Sequence, residues 1–291
     1  MDYEEITSGR TLIMKKWYFW SLIVLIVGLV ATAIGFIGHG NQTIEFENWH
    51  HAKIVTKSSK ITTKTTKWSE SDFNQINVDV KNVDVVVQTG DSYNVKFVGS
   101  PDAKFKVSKK DQTLTVKQTK DATKGYRMRT KGFFWIYDHD QHADSKLIIT
   151  VPKDTQLSNV SINETNVDLA GDLTLKNIKA DNVYLSTGGD ITVNQATING
   201  GQIISEDDID LQKTTFNGQV TINSKNGDIE VSNANDQVGY QVQAVNGDAK
   251  LFKQSNDSGD QLKVNEDNST QVKLTASNGD INVLKGNDDD D

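Results

Sequence analysis

Carboxylates are the side chains in this sequence best placed to do chemistry. Asp190, Asp208, Asp228 and Asp248 recur at a step of about twenty residues, and Asp280 follows after a longer one. Three of them stand in one repeated tripeptide: Asn226-Gly227-Asp228, Asn246-Gly247-Asp248 and Asn278-Gly279-Asp280. Calcium is the chemistry such a series suggests, because some β-helix repeats bind it through Gly-Gly-x-Gly-x-Asp runs. Gly188-Gly189-Asp190 lacks that spacing and no other copy restores it, so the tripeptide reads as a polar turn. Asp207, Asp208 and Asp210 form the one dense acidic cluster in the repeats. They are the candidates for the convergent carboxylate pair of a glycosidase, but elsewhere acids come about one per turn. Asp138, His139, Asp140, His142 and Asp144 are all metal-ligating types. Neighbours on one loop seldom converge on a single ion, and His50-His51 has no partner at ligand spacing. With no cysteine in the chain, a disulfide framework and a thiol nucleophile are excluded. The expectation is a protein without catalytic residues, metal or cofactor.

The elements that carry these turns are strands. Each tripeptide is preceded by alternating apolar residues, Val220 and Ile222, Tyr240 and Val242, Val272 and Leu274, and followed by more alternation, as in Ile229-Glu230-Val231. That is the period-2 signature of a strand with one buried face. Asn-Gly supplies positive φ for the turn, glycine having no Cβ and asparagine tolerating the left-handed region. Eroded copies lie in residues 203–211, 160–169 and 76–87. Repeats of this period signal a solenoid or array. Asn-Gly between alternating runs is also a hairpin signal, which leaves an antiparallel meander open. Stacking of equivalent apolar positions from coil to coil favours the solenoid.

Composition bounds the function. The chain has 291 residues, a net charge of −8 and a pI near 5.2, so the whole is not a nucleic-acid binder. From Gly201 onward seventeen Asp and Glu face seven Lys, a net of −10, as expected of a solvated acidic repeat surface. Pro101 and Pro152 are the two prolines, which excludes a Leu-Pro-x-Thr-Gly sorting signal.

Residues 1–16 read as a short cytoplasmic tail, and Met14-Lys15-Lys16 also reads as a natural start. Residues 17–38 are almost unbroken apolar sequence, long enough to cross a bilayer as a helix. Trp17, Tyr18 and Trp20 sit where an interfacial belt belongs, and Arg10, Lys15 and Lys16 precede the run. The positive-inside rule then places the N-terminus in the cytoplasm and the remainder outside. A cleaved signal peptide ending at Ala31-Thr32-Ala33 is the alternative. Residues 39–67 read as a Lys/Ser/Thr-rich linker, 68–286 as the extracytoplasmic β-repeat domain, and 287–291 as an acidic tail.

One stretch interrupts the repeats. Tyr126, Arg127 and Arg129, then Phe133, Phe134, Trp135 and Tyr137, are basic and then densely aromatic. Either the aromatics cap the end of the β domain, or they form an exposed binding surface of the Trp, Tyr and Arg type.

The Met-Lys-Lys start, the N-terminal membrane run, the strand Leu147-Ile148-Ile149-Thr150-Val151-Pro152 and the Asn-Gly-Asp-Ile-x-Val units resemble the bacterial putative-adhesin family, membrane-anchored β-strand-repeat proteins catalogued as a domain of unknown function. The resemblance covers residues 73–284. It implies an all-β, right-handed parallel β-helix-like domain at the envelope of a Gram-positive bacterium, with links to adhesion or envelope stress and no catalytic residues to carry over. The expected partners are the membrane, cell-wall polymers, a host surface or an envelope membrane protein. A polysaccharide-acting β-helix enzyme and a self-assembling structural protein are the alternatives.

Overall fold

Period-2 alternation becomes strand along most of the described residues in the computed structural model of the protein. It describes residues 20–32, 43–48, 51–55, 63–121, 126–131, 134–137, 145–164, 170–257 and 259–286. The chain divides into two units, one of residues 1–61 with 124–142, the other of 62–123 with 143–291.

In the first unit, residues 20–32 are α-helix, about 20 Å at 1.5 Å per residue. No helix among the described residues is long and apolar enough to cross a membrane. The rest of the expected 17–38 span lies outside the described residues. The same unit holds a four-stranded antiparallel sheet in the order Phe134–Tyr137, Tyr126–Lys131, Thr43–Asn48, His51–Val55. Residues 39–67, expected as a Lys/Ser/Thr-rich linker, hold Thr43–Asn48 and His51–Val55 and run into Lys64–Trp68. Of the expected 68–286 repeat domain, residues 124–142 fall in the other unit. The pairing of Thr43–Asn48 with Tyr126–Lys131 spans some eighty residues, and local periodicity carries no trace of it.

The second unit is the solenoid. Its standard coil, as in residues 183–200, has three sides. Val183–Thr187 lies in a ten-stranded sheet, Ile191–Asn194 in an eleven-stranded sheet and Thr197–Ile198 in a small four-stranded one. Coils stack in parallel and in register: Leu185 pairs with Ile162 and Ile203, and Val193 with Leu175 and Leu211. The inward residues form continuous columns. Val78, Ile162, Leu185, Ile203, Ile222, Leu274 and Val242 make one, and all are fully buried. No coil buries its apolar face alone, so each coil's core is supplied by its neighbours. The parallel solenoid, not the meander, is the architecture.

The coils do not stack in sequence order. The ten-stranded sheet runs Gly239–Ala244, Gln271–Ala276, Gln219–Ser224, Gly201–Ser205, and the other long sheet repeats the order with Ala249–Leu251, Ile281–Lys285, Ile229–Ala234 and Ile209–Gln212. Residues 271–285 therefore lie between two coils that are consecutive in the chain. The long step from Asp248 to Asp280 holds Gln254–Asn256 and Gln261–Val264, which pair antiparallel with the 239–251 coil and close that end.

The opposite end is closed by Asn94–Gly99 and Lys64–Trp68 on one sheet and by Lys104–Lys110 on the other, all antiparallel. Phe97 and Phe105 (centroids 4.5 Å apart), Trp68 and Phe105 (6.1 Å), and Phe73 and Tyr93 (4.8 Å) pack there. These aromatics make an end cluster among the described residues. Lys104, Lys106, Lys109 and Lys110 line the edge strand, a pattern that discourages strand addition.

Candidate functional site

The corner between the two long sheets gathers the repeated turns into one place. The backbone N–H of each corner aspartate donates to Oδ1 of the aspartate one coil away. Asp172 reaches Asp84 at 3.2 Å, Asp190 reaches Asp172 at 3.1 Å, and Asp208 reaches Asp190 at 3.2 Å. Asp228 then reaches Asp208, Asp280 reaches Asp228, and Asp248 reaches Asp280, each at 2.8 Å. The result is a column of carboxylates joined by backbone amides, in the order 84, 172, 190, 208, 228, 280, 248. An amide ladder runs beside it: Asn246 Nδ2 donates to Asn278 Oδ1 (3.0 Å) and Asn278 Nδ2 to Asn226 Oδ1 (3.2 Å). All nine residues of the three Asn-Gly-Asp turns lie at this corner.

The glycines serve a different purpose from the one expected. Gly227, Gly247 and Gly279 do not have positive φ, which among the described glycines belongs to Gly201, Gly218 and Gly259. A Cβ on Gly279 would lie 2.2 Å from the carbonyl oxygen of Gly227, and one on Gly247 would lie 2.2 Å from that of Gly279. Close approach of stacked backbones is what excludes a side chain. Positive φ appears at another corner, at Asn177, Gln195, Lys213, Asn233 and Phe252, with values between 49° and 59°.

A buried hydroxyl completes three of the corners. Thr187 Oγ1 donates to Gly171 O at 2.7 Å and accepts the Gly189 amide at 3.1 Å. Ser205 repeats the arrangement with Gly189 O and the Asp207 amide. Ser224 Oγ lies 2.8 Å from Asp207 O and accepts the Gly227 amide at 3.0 Å. Sequence reasoning missed these residues, although they stand three or four positions before each Asp. It also missed Asp84 and Asp172, the latter announced by Gly171-Asp172.

The acidic cluster read from the sequence is divided. Asp207 and Asp208 meet Asp190, with one oxygen from each within 4.8 Å of the others, all exposed. Asp210 leaves the group because alternation along Ile209–Gln212 turns it outward, where Oδ2 accepts from Gln212 Nε2 at 2.6 Å. Partial burial, then the neighbouring carboxylates of Asp172, Asp207 and Asp208, raise the Asp190 pKa above its ordinary value. Oxygen donors of this kind suit a hard cation, though three carboxylates fall short of the six to eight ligands calcium takes. Elsewhere, Gln219, Thr221, Gln241, Lys263, Glu266 and Lys273 line an open depression of about 350 Å³, with the Lys263–Glu266 pair (3.0 Å) on it.

Of the proposed binding surface, Tyr126, Arg127 and Arg129 lie in Tyr126–Lys131, and Phe134, Trp135 and Tyr137 in Phe134–Tyr137. Phe133 and the Asp138–Asp144 run lie outside the described residues.

Solved structures that match the chain include a protein from Clostridium sporogenes described as a "putative cell adhesion protein" (12% identity, 78% of this chain and 100% of that one, TM-score 0.38). A "putative adhesin" from Bacteroides fragilis matches at 17% identity over 78% of this chain and 98% of that one, with a TM-score of 0.35. A "putative lipid binding protein" from Parabacteroides distasonis matches at 13% identity over 77% and 94%, with a TM-score of 0.25. No curated protein matches the chain. The profile of the Toastrack DUF4097 family matches residues 73–207 and, in a second overlapping placement, residues 154–284. Its two placements together span residues 73–284, more than half of the sequence, and the chain belongs to the Toastrack DUF4097 family.

Proposed function

We propose that this protein is a non-catalytic, membrane-anchored extracytoplasmic scaffold whose solenoid presents a surface for adhesion or for sensing the state of the envelope. One observation carries the non-catalytic part. The carboxylates that recur through the chain spend Oδ1 on the amide of the next coil, a structural task that explains their spacing without substrate. The anchor draws on the helix at 20–32, whose Trp20, Leu22, Val24, Leu25, Ile26, Val27, Leu29 and Val30 are all exposed. A helix apolar on every side belongs in lipid or in a protein core. Arg10, Lys15 and Lys16 ahead of it set the orientation. Cell-wall polymers, a host surface or an envelope membrane protein are the partners this placement offers.

The test has two arms. Protease added to wall-stripped intact cells removes everything beyond residue 38 and spares a reporter at Met1; protection of the solenoid defeats the topology. Purified full-length protein is then presented with wall glycans, lipid vesicles and envelope proteins, alongside Trp135→Ala and an Arg127→Ala/Arg129→Ala variant. Loss of retention in a folded variant identifies the binding surface, and retention of none of the three materials defeats adhesion.

A polysaccharide-acting enzyme is the second reading, favoured by the Asp190, Asp207 and Asp208 group with its raised Asp190 pKa. It requires glycan cleavage that Asp190→Asn abolishes.

A further inference from the structure

The 271–285 coil fills a slot whose walls, 219–234 and 239–251, follow each other directly in the chain. Chemically the insert duplicates both walls. Across the slot Val220, Val272 and Tyr240 align, as do Ile222, Leu274 and Val242, then Ser224, Ala276 and Ala244. On the other sheet Ile229, Ile281 and Ala249 align, with Val231, Val283 and Leu251. The aspartate and asparagine ladders pass through the insert without a break. Among the described strands Gly239–Ala244 has no parallel partner except Gln271–Ala276, so the outer wall is joined to the rest of the sheet by the insert.

What the walls recognise is therefore backbone, an Asn-Gly-Asp corner and two apolar pairs, and a second copy of this chain brings all of these in the same register. The insert is tethered to its own slot by residues 265–270. That hinge is fastened to the connection between the walls: Asn265 Nδ2 donates to Asp236 O (2.8 Å) and Val238 O (3.0 Å), and Asn268 Nδ2 to Gln237 O (2.7 Å). Six residues drawn straight reach about 20 Å.

We infer that the slot is a strand-exchange site, in which residues 271–285 of one copy complete the solenoid of another and the two copies form a reciprocally swapped dimer. Exchange keeps every ladder bond and changes the path of the hinge alone, which is the condition for low-cost swapping.

The absence of native cysteine makes the test clean. Thr221 and Lys273 are direct register partners facing outward, at the roughly 4.8 Å strand spacing that a disulfide can bridge. Full-length chains with Thr221→Cys and with Lys273→Cys, under different tags, are co-expressed and oxidised. A disulfide-linked dimer carrying both tags is the expected result. Its yield should rise severalfold when Asn265→Ala and Asn268→Ala release the hinge. Thr221→Cys with Lys250→Cys, which lies on the other sheet, should stay unlinked. The inference is overturned if no mixed dimer forms while Thr221→Cys/Lys273→Cys in one chain links internally, or if the Lys250 control links equally well. It is also overturned if Thr221→Cys/Gln241→Cys links within one chain, since the walls would then meet with no slot between them. Failure of the Thr221→Cys/Lys273→Cys chain to link either within itself or to a second copy would remove the interleaved order and the inference together.

Discussion

Asp280 donates its backbone N–H to Oδ1 of Asp228 at 2.8 Å across 52 residues of chain. The bond belongs to the column that fastens each coil to the next, and it needs an acceptor oxygen more than it needs a charge. Asp228→Asn should therefore cost little, because the amide oxygen can take the same place. Asp228→Ala should destabilise by about 0.5–1.5 kcal/mol, the net worth of one such bond. Urea midpoints of the two variants decide the matter; equal losses would show that charge is what counts there.

Gly279 and Gly200 separate close approach from ordinary turn flexibility. A Cβ at Gly279 meets backbone at 2.2 Å, whereas one at Gly200 meets nothing nearer than 3.4 Å. Gly279→Ala should cost about 1–3 kcal/mol, as overpacking does. Gly200→Ala should be close to neutral. Thermal denaturation of both measures the contrast.

Ser224 is buried and holds the Gly227 amide and the Asp207 carbonyl together. Ser224→Ala strands both groups, at a cost of about 1–3 kcal/mol. Ser224→Thr should recover part of it if the extra methyl fits, and denaturant unfolding reports both.

Asp190 sets a pH dependence. Its folded pKa is raised above the ordinary 3.8, first by partial burial and then by neighbouring carboxylates. For a raised carboxylate the fold disfavours the charged form. The penalty is fully present above the folded pKa and disappears as pH falls through that value towards 3.8. Asp190→Asn should therefore stabilise the protein at neutral pH, by less than about 1 kcal/mol because the group is exposed and screened. The advantage should vanish at about pH 4 and below. Stability curves from pH 3 to 8 test the sign.

Much of the solenoid can be read from residues. Val220, Ile222, Ile229 and Val231 alternate as strands, and the Asn-Gly-Asp copies mark a shared corner. The purpose of the glycines was not legible, because Gly279 is constrained by the carbonyl of Gly227 in a coil 52 residues away, and local turn chemistry offers positive φ as the nearer explanation. The residues that do adopt positive φ include Lys213 and Phe252, which no turn propensity singles out. Coil order was hidden for the opposite reason: the turns at Asn226, Asn246 and Asn278 are so alike that any stacking order satisfies them. At the acidic site, Asp207 and Asp208 were visible as neighbours. Asp190 joins them through an eighteen-residue coil, and Asp210 departs through strand alternation.

The interleaved coil also bears on mechanical load. In a solenoid with its last-translated coil outermost, tension applied beyond Lys285 would peel one ladder, bond after bond. Here the 271–285 coil is held along both edges, so the same pull has to break two ladders together. A chain gripped in this way would transmit force into its folded body and resist unravelling from the end.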